Sequence, residues 1–129
     1  MYIVSACLAG IKCKYNGKDN KSAAIVKLVE EGKAISICPE VLGGLPTPRV
    51  PCEIIKEDKG NIKVMDKEGV DRTAEFLEGA NKTLAIGKVV GAEAAILKAN
   101  SPSCGCGLIY DGTFSGKLKI GRASCRERV

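Results

Sequence analysis

Three short apolar runs in this chain end at a cysteine or lead straight into a loop that carries one, and this pattern limits the possible folds more than any other feature. Tyr2 to Ala6 (YIVSA) stops at Cys7, Ala34 to Ile37 (AISI) stops at Cys38, and Ala94 to Leu97 (AAIL) runs into the loop holding Cys104 and Cys106. Short runs of this kind, bounded by turn-forming residues, read as buried strands. Between the first two, Ser22 as N-cap, then Ile25, Leu28 and Val29 at helical spacing and Gly32 as the closing residue predict a helix. Before the third, Asp71 as N-cap and the stripe Phe76, Leu77, Ala80, Leu84 and Val90 predict a long helix ending near Val90. Glycine costs a helix interior up to about 1 kcal/mol relative to alanine, so Gly79 and Gly87 predict close approach to the sheet or to a loop. The order strand, helix, strand, hairpin, helix, strand predicts a small α/β domain of the three-layer type with a mainly parallel sheet.

Two segments interrupt that alternation. Four of the five prolines lie between 39 and 51, with Gly43 and Gly44 among them, so residues 38–53 (CPEVLGGLPTPRVPCE) read as a stiff, irregular loop of the kind that builds sites. Glu53 to Val64, with Asp58, Lys59, Gly60 and Asn61 at its middle, predicts a peripheral β-hairpin.

The chain has 129 residues, 45% of them hydrophobic and 27% charged, as expected of one globular domain with its own core. The longest apolar run near the start, Ile3 to Ile11, is far shorter than the roughly 20 residues of a membrane helix, and no basic segment precedes it. The expectation is a cytoplasmic protein without a membrane partner. Its seven cysteines then stay reduced and point to metal or thiol chemistry rather than to a disulfide framework. The absence of histidine excludes His-based triads, His general bases and mixed Cys/His zinc sites.

The last ten residues, 120–129 (IGRASCRERV), lack apolar periodicity and match the translation of a common short-read sequencing adapter. The expectation is a single domain over 1–119, truncated at its C-terminus, followed by a non-native tail; the competing reading is a basic tail for nucleic acid. Without that segment, which carries three Arg and one Glu, the net charge falls from +5 to +3. A nucleic-acid partner is not supported by so small a charge. No motif sets the oligomeric state.

In an open parallel sheet the loops leaving the carboxyl ends of the strands gather on one edge, so Cys7, Cys38 and Cys104 could meet there. Three thiolates repel one another unless a soft metal centre compensates them. No CxxC pair occurs, which disfavours a zinc ribbon. An iron–sulfur cluster accepts thiolates from distant loops, and three of them leave one iron open as a Lewis acid. The alternative is that these are buried structural cysteines.

SACLAG (5–10), KYNG (14–17), CPEVLGGLPTPRVPCEI (38–54), GVDRT (69–73), the Gly79–Ala80 pair, ILK (96–98), SPSCG (101–105) and IYDGTFSG (109–116) together resemble one family. It is a domain-of-unknown-function family that includes the thiouracil desulfidases. The resemblance covers residues 1 to about 119. It implies a [4Fe-4S] cluster held by Cys7, Cys38 and Cys104, and non-redox desulfuration of 2-thiouracil or a related thiolated pyrimidine to uracil and sulfide. Glu40, two residues after a ligand, is placed to accept a proton from attacking water, and Ser101 to orient water or the ring. Their bland alternatives are a carboxylate that caps a helix or binds Arg49, and a turn hydroxyl that bonds its own loop. Arg49 reads as a partner for an acid such as Glu53, with an anion clamp as the alternative, and Lys98 with Asp111 as an ion pair or as part of the pocket wall. Cys13, Cys52 and Cys106 are extra to the motifs and read as small buried or loop thiols, with Cys106 close enough in sequence to Cys104 to become an adventitious fourth ligand. Two further classes compete: a thiol redox protein, which the absence of CxxC counts against, and a non-catalytic metal- or nucleotide-binding module, for which Gly43–Gly44 is weak support.

Overall fold

The structure, a computed structural model, describes residues 1–58, 61–99, 101–104, 106–110, 114 and 118–122. β1 (Tyr2–Ser5) is the central strand of a three-stranded parallel sheet, flanked by β2 (Ala34–Ile37) and β5 (Ala94–Ile96). Tyr2 pairs with Ala34 on one side and with Ala94 on the other, so all three strands point the same way and end at the same edge. The α/β class and the parallel sheet are as the sequence reading has them.

Helix α1 (Ala23–Glu30) crosses from β1 to β2 and buries Ile25 against Val4 and Ala34, with Leu28 packed beside them. Gly32 follows it with φ of 70°, the left-handed conformation that glycine reaches without strain. Cys38 then serves as N-cap of α2 (Pro39–Leu42), a single helical turn inside the stretch expected to be irregular. Pro39 explains it: proline at the first helical position fixes φ near the helical value and gives up an N–H that would have no partner there.

The strands β3 (Cys52–Asp58) and β4 (Asn61–Asp66) form the expected hairpin as a sheet of its own. Its base is nonetheless part of the core, because Ile54 and Val64 are fully buried against Phe76, with Leu45 and Cys52 beside them. Helix α3 (Thr73–Val89) starts two residues after the expected cap; Arg72 is the N-cap, and Asp71 instead accepts the Thr73 N–H through Oδ1 at 2.8 Å. Its first turn is tied to the hairpin by the Val64 N–H, which donates to Thr73 Oγ1 at 2.9 Å.

The glycines of α3 are where the close contacts fall. A Cβ on Gly79 would overlap the Pro39 carbonyl oxygen, and one on Gly43 would overlap the Glu75 carbonyl oxygen, so α2 and α3 cross with their backbones touching. Gly87 lies against the sheet, 3.1 Å in the same sense from Ile3 Cδ1. A second hairpin, β6 (Cys106–Tyr110) with β7 (Leu118–Arg122), is absent from the sequence reading. The expected domain boundary at 119 falls inside β7; residues 123–129 of the expected tail, Gly105 and Asp111 lie outside the described residues. Among the described residues no helix is long and apolar enough to cross a membrane.

Candidate active site

The parallel edge of the sheet opens into a cavity of about 440 Å³ whose wall includes Cys7, Cys38 and Cys104, one from the segment that follows each strand. After Ser5 the chain enters a 3₁₀ turn (Ala6–Ala9), closed by Gly10 at φ 89°, and Cys7 is buried within it. The Cys7 carbonyl accepts the Asn20 N–H at 2.9 Å, and Asn20 Nδ2 reaches Cys7 Sγ at 3.8 Å. Cys38 reaches the cavity because Pro39 turns the chain directly after β2. Cys104 is buried on the loop after β5, where Ser5 Oγ donates to its sulfur at 3.4 Å.

Two thiols read from sequence as extra also line this cavity. Cys13 is buried beside Cys7, and Cys52 stands at the start of β3. As a thiol, Cys38 reaches the Cys13 carbonyl oxygen at 3.9 Å. The hydrogen bond from the Cys13 thiol favours the thiolate of Cys38 and lowers its pKa against the opposing effect of burial; Cys13 is pushed up correspondingly. Burial pushes the Cys104 thiol up to about 11 and Cys52 up to about 12. Cys106 begins β6.

Glu40 lies on α2 with its side chain only 13% exposed. Its Oε1 accepts from Arg49 Nε at 3.2 Å and its Oε2 from Ser103 Oγ at 2.8 Å. Arg49 therefore pairs with Glu40 and not with Glu53, because the chain between Pro46 and Pro51 turns its guanidinium toward α2. Ser101 Oγ lies 2.9 Å from Ser103 Oγ and accepts the backbone N–H groups of Ser103 and Cys104 at 3.1 and 3.2 Å. Ser103 has one hydroxyl proton; if it is directed at Glu40, Ser101 donates to Ser103. The order Ser101, Ser103, Glu40 is thus a directed chain ending on the carboxylate. Lys98 also lines the cavity, and its Nζ donates to the Ala99 carbonyl at 2.9 Å.

Ser5, Asn20 and Ser103 carry no sequence signal of their own, since each acts across the cavity on a residue far away or on another loop. Ser5 and Ser103 could have been suspected from their places inside SACLAG and SPSCG. The donor set suits a thiolate-bound group: Cys7, Cys38 and Cys104 line one cavity with Cys13 and Cys52, and the carboxylates of its wall are those of Glu40 and Glu53. Among the described residues no group of three or more Cys, Asp or Glu side chains is arranged to hold a single metal ion.

The sequence model of the 2-thiouracil desulfurase family matches residues 2–127. The chain belongs to this family. Among relatives of the desulfurase domain, it is 55% identical over 126 residues to the uncharacterized protein YbbK of Bacillus subtilis (strain 168), covering 94% of this chain and 83% of that one. Among solved structures, the fold is similar to that of the [4Fe-4S]-dependent thiouracil desulfidase TudS, with a TM-score of 0.87 and 41% identity over 98% of this chain and 83% of that one. The desulfurase family and its solved member thus agree with the enzyme class that the sequence motifs imply.

Proposed function

We propose that this chain removes sulfur from 2-thiouracil, or from a related thiolated nucleobase, by a non-redox reaction with water that yields uracil and sulfide. The observation that carries the reading is the meeting of Cys7, Cys38 and Cys104, from the segments that follow three separate strands, on the wall that also holds Glu40. These three thiolates would hold a [4Fe-4S] group. Bound by three protein sulfurs, such a group keeps one iron without a protein ligand and supplies a Lewis acid for the substrate sulfur.

The rest of the chemistry belongs to the chain. Water must lose a proton as it attacks C2 of the ring, and Glu40 is the carboxylate in the cavity wall next to a ligand. Arg49 and Ser103 hold its two oxygens from opposite sides, so it keeps one orientation without a substrate. The hydrogen bonds from Ser103 to Glu40 and between Ser101 and Ser103, 2.8 and 2.9 Å long, run toward the carboxylate and hold it aimed. Ser101 also holds the loop that presents Cys104, through the two N–H groups its oxygen accepts.

Anaerobically reconstituted protein incubated with 2-thiouracil is expected to release uracil and sulfide in equal amounts, without an added reductant or oxidant. Uracil release that required an electron donor would contradict the non-redox reading. Stoichiometric zinc without iron, and no turnover, would favour a non-catalytic metal- or nucleotide-binding module instead.

A further inference from the structure

Arg49 is a charged side chain with 5% exposure, inside the proline-rich segment, and a guanidinium this buried has to be matched on its donors. One edge is spent on its own loop, where Nη1 donates to the Pro46 carbonyl at 3.3 Å and to Thr47 Oγ1 at 3.2 Å. The other two nitrogens leave the loop. Nε donates to Glu40 Oε1 at 3.2 Å, and Nη2 reaches Cys38 Sγ at 4.0 Å. The planar guanidinium fixes the angle between these donors, so the sulfur and the carboxylate are held relative to each other by one rigid fork.

We infer that Arg49 is a positioning residue for both halves of the site, fixing the Glu40 carboxylate for proton transfer while donating to the Cys38 sulfur. The inference rests on the function proposed above. A hydrogen bond and a positive charge at a ligand sulfur raise the reduction potential of an iron–sulfur group. Since the proposed reaction is not redox, that potential reports the Arg49–Cys38 contact independently of turnover. The Arg49–Glu40 contact is read separately, through kcat.

The test compares the full chain with Arg49→Gln and Arg49→Lys, all reconstituted anaerobically. Iron and sulfide content, midpoint potential, and kcat and KM on 2-thiouracil are measured for each. Arg49→Gln is expected to load as much iron as the parent, to show a more negative potential, and to lose at least about tenfold in kcat with KM changed far less. Arg49→Lys is expected to recover part of the potential, because a cation returns, but not kcat, because an ammonium cannot serve sulfur and carboxylate as a fork does. A potential and a kcat in Arg49→Gln that match the parent would overturn the inference. So would failure of both variants to fold, which would assign Arg49 to the loop alone. A parent that takes up no iron overturns the functional reading and this one with it, whereas a parent that loads and turns over beside an unaltered Arg49→Gln overturns this inference only.

Discussion

Glu40→Gln keeps the size of the side chain and removes its capacity to take a proton. The expected outcome is an unchanged iron content with a loss of about 10² to 10⁴ in kcat, the usual range for a general base, checked by uracil release at saturating substrate. Loss of iron in that variant would instead mean that the carboxylate holds the site together. Cys7, Cys38 and Glu40 were legible because each lies within three residues of a strand end, where the backbone alone decides which edge it faces, whereas Cys104, eight residues beyond β5, was legible from the SPSCG motif. Arg49's partner was not legible. Glu53 and Glu40 are both acids within ten residues of it, and the choice depends on how the segment between Pro46 and Pro51 bends. The same holds for Ser103, whose partner Glu40 is 63 positions away in the chain.

At the scale of elements, α2 and Glu40 with it are held in place by the contact of backbones at Gly43 and Gly79. Gly79→Ala puts a methyl group into the Pro39 carbonyl, and overpacking of this kind costs about 1–3 kcal/mol. Thermal unfolding should show a clear drop in Tm, and kcat should fall as well because the helical turn bearing Glu40 has to move. A Tm equal to the parent's would mean that the two helices separate freely. The small residues of α3 announced this contact in the sequence, but not whether loop or sheet would supply it; Gly79 meets the one and Gly87 the other.

The β4–α3 connection carries the pH dependence. Asp66 is buried and accepts the Val70 and Glu68 N–H groups at 3.0 and 2.9 Å, besides Arg72 Nε at 3.3 Å; the Val70 bond leads the effects that hold its carboxyl below the usual range. A carboxyl depressed in the folded state contributes stability that is present above its unfolded value of about 4 and is lost as pH falls through the folded one. Acid unfolding of Asp66→Asn should therefore be less steep below about pH 4 than that of the parent, followed by circular dichroism. An identical acid profile would remove Asp66 from the account.

For the whole molecule, three parallel strands in the order β2, β1, β5 bring together cysteines at positions 7, 38 and 104. That much followed from strand-ending cysteines and from the rule that loops at the carboxyl ends of parallel strands share an edge. The burial of the β3–β4 hairpin did not follow. Its charged tip reads as solvent-facing, and only the packing of Ile54 and Val64 on Phe76 makes its base part of the core. Cys13 and Cys52 entered the cavity wall for a related reason, since each lies on a loop or hairpin whose path depends on long-range packing.

The central claim is that Cys7, Cys38 and Cys104 jointly hold an iron–sulfur group, and the most direct measurement is iron and acid-labile sulfide per chain after anaerobic reconstitution, beside Cys104→Ala. The account predicts about four of each in the parent, the content of one [4Fe-4S] group, and their loss in the variant. No iron in the parent, or iron retained in full by Cys104→Ala, would contradict it.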